Sequence, residues 1–129
     1  MTAYKRKEDV VRELAAIDPA LVDKYQIFEI DDGIDIGVVL ERGRTTISHR
    51  ISVDGMRGTF GATKGLYEVW PDCYGVGFME RFGTSDDVAG ELTLRQAVEI
   101  AEATETRSPK LLEIVAKYFD VSTVYYDWE

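Results

Sequence analysis

Imidazole and thiol, two groups much used for acid–base and covalent chemistry, are scarce in this 129-residue chain. There is one histidine, His49, and one cysteine, Cys73. A triad or a histidine metal site needs partners that a lone imidazole lacks. Apolar alternation puts His49 between Ile47 and Ile51 on the inward side of a strand, so a packed core histidine is expected rather than a proton-transfer group. Cys73 sits beside a turn with no histidine near it in sequence, and reads as a small half-buried residue rather than a nucleophile. Gly75, Val76 and Gly77 match half of a nucleotide-binding glycine pattern, but the third glycine is missing and no helix opens there. Asp31, Asp32 and Asp35 crowd one loop at a spacing unlike that of a calcium loop, and turn-forming aspartate accounts for them. No catalytic residue, metal site or cofactor is expected. An enzyme here would have to work with Arg, Asp, Glu and Tyr alone.

One set of side chains does share a chemistry. With strands over 34–41 and 44–53, side-chain alternation sends Arg44, Ser48 and Arg50 to one sheet face. A following hairpin adds Arg57 and Thr59 to that face, and Gly37 and Gly61 leave a low spot beside Ser48. Arginine forks hold phosphate or carboxylate through paired hydrogen bonds. Arg44, Ser48, Arg50, Arg57 and Thr59 are therefore the candidate ligand-binding residues, for a small anion such as a nucleotide. The competing expectation is an ordinary solvent face, with Arg50–Asp35 and Arg44–Glu41 as cross-strand pairs.

The charge distribution follows the same division. Between residues 42 and 64, five Lys or Arg stand against one Asp, a net of +4. The rest of the chain then carries −13, because the total is −9. A second candidate surface lies at the C-terminus, where Tyr125, Tyr126 and Trp128 are typical interface anchors at a position where chains usually fray. Such a tail should dock on its own domain, on a second copy in a homo-oligomer, or on a foreign partner.

These residues need elements to position them. Ten of the eleven glycines lie between Gly33 and Gly83, so the middle of the chain reads as β with helices on both sides. The first helix should span 5–16, with Val10, Val11, Leu14 and Ile17 as its apolar stripe. Asp18 then caps a short helical turn that has Pro19 at its first position. Thr93 and Gln96 form a capping box for a second helix, and Ser108 with Pro109 starts a third, lined by Leu111, Leu112, Val115 and Phe119. A last short strand is expected over 121–126.

The strand register follows from the turns. A loop at Arg42 and Gly43 pairs Val38 with Ile47, Ile36 with His49 and Ile34 with Ile51. A turn at Asp54 and Gly55 pairs Ile47 with Ala62 and His49 with Phe60. A three-residue loop at 31–33 aligns Phe28 with Ile36 and Ile30 with Ile34, with Gly33 in the left-handed position. Pro71 and Asp72 turn a further hairpin that pairs Val69 with Tyr74. The expectation is one α+β domain over 1–129. It is an antiparallel meander of five to six strands, with one face covered by the N-terminal helix and the two C-terminal helices.

Composition narrows the function classes. A strongly acidic chain is a poor general binder of nucleic acid or of anionic membranes, both polyanions. Lys5, Arg6 and Lys7 are followed by Glu8 and Asp9 rather than by an apolar core, which argues against a signal peptide. A single cysteine fits a reducing cytoplasm. The expected function is a non-catalytic acidic binding protein, an inhibitor or antagonist of another macromolecule with the general character of immunity or phage counter-defence proteins. Its partner would be a protein with a basic surface. The alternative is a small-molecule binder that sequesters an anion on the arginine face.

Overall fold

The N-terminal helix begins where two acceptors meet its first amides. Asp9 accepts from the Arg6 backbone N–H at 3.0 Å, and Glu29, from a neighbouring strand, accepts from the Lys7 N–H at 2.8 Å. Both satisfy donors that a helix start leaves open. In the computed structural model, which describes residues 5–52, 66–70 and 92–117, this helix is α1 (Lys7–Ile17). A 3-10 turn (Pro19–Asp23) follows, with the Asp18 carboxylate accepting from the Ala20 N–H as the sequence implies. Then come β1 (Gln26–Asp31), β2 (Asp35–Arg42), β3 (Thr45–Ser52), β4 (Glu68–Trp70), α2 (Leu94–Glu105) and α3 (Leu111–Ala116). The protein is α+β, and the described residues hold four strands of an antiparallel sheet in the order β1-β2-β3-β4.

The helix signals read from sequence have local causes that the structure shows. Thr93 and Gln96 cap α2 reciprocally, at 3.2 and 2.9 Å. Ser108 accepts from the Lys110 N–H at 3.1 Å, and α3 begins one residue later. Val10 and Leu14 of α1, Ala97 and Ala101 of α2, and Leu111 and Val115 of α3 meet Val38, Leu40, Ile47 and Val69 of the sheet in one apolar cluster. No helix among the described residues is long and apolar enough to cross a membrane.

Three parts of the expected register are corrected. The loop between β2 and β3 is Gly43 and Arg44, with Arg42 paired to Thr45. Gly43 has φ +60 and takes the first loop position, where a two-residue II′ turn wants glycine. The register moves by two residues, so Leu40 opposes Ile47 and Ile36 opposes Ile51, while the inward face is preserved. Between β1 and β2 the displacement is odd. Phe28 opposes Val39 and Ile27 opposes Leu40, which turns Phe28 to the other face. Two gains on the helix side favour this pairing: Ile27 packs on the core, and Glu29 reaches the start of α1. Phe28 is left 39% exposed, and Ile34, at the loop, 70% exposed. Gly33 does take the left-handed conformation, φ +86. Finally, Ile47 is paired to Val69 on its second edge, which excludes the pairing of Ile47 with Ala62.

The second sheet face is also not the solvent face that alternation implies. Gly37, Val39, Ser48 and Glu68 are buried on it. An unbroken apolar run at 36–40 is the signature of a strand covered on both sides. The hairpin turns at Asp54–Gly55 and Pro71–Asp72, the strand over 121–126, Cys73, and the 75–77 glycines lie outside the described residues.

Candidate functional site

The arginine face was expected to gather Arg44, Ser48, Arg50, Arg57 and Thr59. Arg57 and Thr59 lie outside the described residues, as do Tyr125, Tyr126 and Trp128. Arg44 is in the β2–β3 loop and Arg50 is six residues along β3. At about 3.3 Å per strand residue, their backbones are roughly 20 Å apart, too far for both to grip one phosphate. The expected cross-strand pairs are replaced as well. Arg50 opposes Gly37, Asp35 opposes Ser52, and Glu41 opposes Thr46.

Ser48 and Arg50 do share a locale, and its centre is Glu68. The Ser48 hydroxyl donates to Glu68 Oε1 at 3.0 Å. The Arg50 guanidinium lies 3.9 Å from the same oxygen. Glu68 is 1% exposed, and among the described residues neither its Oε2 nor Arg50 Nε has a hydrogen-bond partner. A buried carboxylate with one bonded oxygen makes this locale negative as well as positive. That composition opposes a simple anion receptor, since the carboxylate would repel the ligand.

A second polar cluster fastens the β2–β3 loop to α2. Glu102 Oε2 accepts from Arg42 Nε at 2.9 Å and from the Tyr25 hydroxyl at 2.8 Å. Glu105 accepts from the Arg44 N–H at 3.2 Å and the Thr45 hydroxyl at 2.7 Å. Its carboxylate lies over Gly43 so closely that a Cβ there would collide with it. Burial, and then the charge of Glu102, push the Tyr25 hydroxyl above its ordinary pKa of 10.0.

A third cluster joins α1 to Tyr67, the residue before β4. Lys5 Nζ donates to Glu13 at 2.8 Å and to the Tyr67 hydroxyl at 3.2 Å, and sits 4.7 Å from the ring centroid. The Tyr67 hydroxyl donates to Glu13 at 2.9 Å. His49 is fully buried, with its ring edge-on to Tyr67 at 5.4 Å, which is the packed position expected of it. A cleft of about 420 Å³ opens beside the start of α1, lined by Lys5, Arg6, Glu29, Ile30, Asp31, Ile36 and Gly37. Both of its cations already face carboxylates, Glu13 and Glu29. Among the described residues no group of His, Cys, Asp or Glu could hold a metal ion.

Sequence reasoning missed Glu68, Glu102 and Glu105. Two of them carried a signal: acids in the last turn of a helix oppose its dipole, and α2 has no basic residue there. Such a placement calls for a partner from elsewhere in the fold, and Arg42 and the loop amide supply it. Glu68 carried only its place between Tyr67 and Val69 in an alternating strand. Compared with models of protein families, with curated proteins and with solved structures, the chain matches none.

Proposed function

We propose that this protein is a non-catalytic acidic binding protein that inhibits or antagonises another macromolecule through protein–protein contact, in the manner of immunity or phage counter-defence proteins. The supporting observation is where the positive charge goes. Arg42 of the basic 42–64 segment turns onto Glu102, and Arg50 lies beside buried Glu68. Two of the segment's cations thus face carboxylates of the same chain rather than an open surface. The chain as a whole is acidic, with a total of −9. An acidic surface steers association with a basic protein and can occupy a groove made for a polyanion. In this reading the protein acts in the cytoplasm, the sheet extends to five or six strands with helices on one face, and Tyr125, Tyr126 and Trp128 belong to a contact with the partner or with a second copy.

The test is native mass spectrometry of the protein isolated from its host. A stoichiometric basic protein partner is the expected result. A chain that carries only a retained nucleotide would overturn the reading in favour of a small-anion binder. That second reading has one observation behind it: Arg50 Nε is a buried donor with no acceptor among the described residues. Nucleotide-induced thermal shifts that disappear in Arg50→Ala would establish it.

A further inference from the structure

The edge of the sheet at β1 differs from everything else described. Among the described residues β1 has a neighbour on one side only, β2. None of its six residues is fully buried, whereas the centre of β2 is buried on both faces. The large apolar side chains exposed among the described residues, Phe28 and Ile34, both lie on β1 or on the loop that follows it. An open edge with exposed apolar groups is a template for another strand, and proteins normally blunt such edges. We infer that the outer edge of β1 is the docking surface of the protein, and that its occupant is an extended segment of a partner protein in which basic and apolar residues alternate. The inference rests on the antagonist reading and names the surface and the partner chemistry for it.

Register and charge select that occupant. Gln26, Phe28 and Ile30 lie on one face of β1, and Ile27, Glu29 and Asp31 on the other. A strand added to this edge places every second side chain beside Phe28 and Ile30, where apolar groups are wanted, and the intervening ones on the side of Asp31. Asp32 and Asp35 close the same end of the strand pair, through an Asp32 N–H to Asp35 carbonyl bond of 3.2 Å. Three aspartates around exposed Ile34 favour lysine or arginine in the arriving segment and repel an acidic one. A second copy of this chain is the poorer occupant, because two chains of −9 each would meet along the edge.

The test uses the full chain and a short synthetic peptide in which Lys alternates with Val, with a Glu-for-Lys peptide as control. The expected result is binding of the basic peptide alone, with amide chemical-shift changes concentrated on β1. Asp31→Lys combined with Asp35→Lys should weaken it by about tenfold or more, while Asp23→Lys combined with Glu113→Lys, the same change in net charge at exposed sites elsewhere, should change it less than about threefold. Circular dichroism establishes that each variant is folded. Equal losses in the two variants, shifts away from β1, or β1 amides already protected from hydrogen exchange on their outer edge in the isolated protein would overturn the inference. So would a dimer in sedimentation that dissociates on Ile34→Lys, since the edge would then hold a second copy. A host partner whose binding ignores Asp31→Lys with Asp35→Lys sinks this surface and leaves the antagonist reading standing. Absence of any partner sinks that reading itself.

Discussion

At one end of β2 the chain turns through Gly43 and Arg44 into β3; at the other it arrives from β1 through Gly33 and Ile34. Both loops use a glycine in the left-handed conformation, yet their surroundings are opposite. The Gly43 loop is basic, and two glutamates of α2 hold it down through Arg42, the Arg44 amide and Thr45. The Gly33 loop is acidic and is closed from within, by the Asp32 carboxylate accepting from the Ile34 and Asp35 N–H groups at 3.0 and 2.8 Å. Among the described residues, one end is fixed by tertiary hydrogen bonds, and the hydrogen bonds of the other come from its own turn. The held end therefore carries stability, and the self-closed end borders the edge proposed as the docking surface.

The sharpest test of that contrast compares the two glycines. Alanine at either position meets the left-handed penalty, about 1 kcal/mol. At Gly33 nothing lies within 4 Å of the added Cβ, so the loss should stop there. At Gly43 the added carbon displaces Glu105, and its hydrogen bonds to Arg44 and Thr45 are lost as well. Gly43→Ala should then cost about 2–3 kcal/mol in urea unfolding, allowing about 1 kcal/mol for each half-exposed hydrogen bond. Equal losses at the two positions would mean that Glu105 contributes nothing to the loop.

Glu102→Ala comes next in size. It leaves the buried Tyr25 hydroxyl without its acceptor and Arg42 without its carboxylate. Both charged partners are about one-quarter exposed, so solvent screening holds the expected loss to about 1–2 kcal/mol. Double-mutant cycles with Tyr25→Phe and Arg42→Met would divide it, and a cycle near zero for both would remove the clamp from the account.

Tyr25 gives the same end an alkaline signature. Its folded pKa lies above 10.0, so the unfolded chain loses the phenolic proton first. Stability from this group is complete below pH 10.0 and declines as pH rises beyond it, by about 1.4 kcal/mol per pH unit for one proton. Tyr25→Phe should flatten that limb of the stability curve. Tyr67, raised in the same direction by burial and by Glu13, adds a parallel contribution that survives in the variant.

These two ends also separate what the sequence reveals from what it conceals. Caps were legible because they are local: Asp18 with Ala20, and Thr93 with Gln96, need only residues a few positions apart. The inward face of β2 and β3 was legible because apolar alternation survives a two-residue slip. The register of β1 was not, since Phe28 and Ile27 are both apolar and either could face inward. The choice was made by Glu29 meeting α1 and by Ile27 meeting the core, contacts that no local pattern encodes. The surroundings of the two described arginines were hidden in the same way. Arg44 and Arg50 look equivalent along a strand, but one occupies a turn and the other lies beside Glu68, which is twenty residues or so away in sequence.

The smallest effect belongs to the self-closed end. Asp32 holds two backbone N–H groups, and those bonds, Asp35 first and then Ile34, lower its pKa below the ordinary 3.8. A depressed folded pKa means that the contribution is present above pH 3.8 and is lost as pH falls through the lower, folded value. Asp32→Asn keeps an oxygen that can accept the same two bonds but removes the charge. Its stability at neutral pH should stay near that of the wild type, while its acid limb becomes shallower. The group is fully exposed, so salt should narrow the difference further. An identical acid limb in the two proteins would show that the turn is closed by geometry alone. A large loss at neutral pH would show that the acidic tip, like the basic one, leans on something beyond its own turn, and the contrast between the two ends would fail.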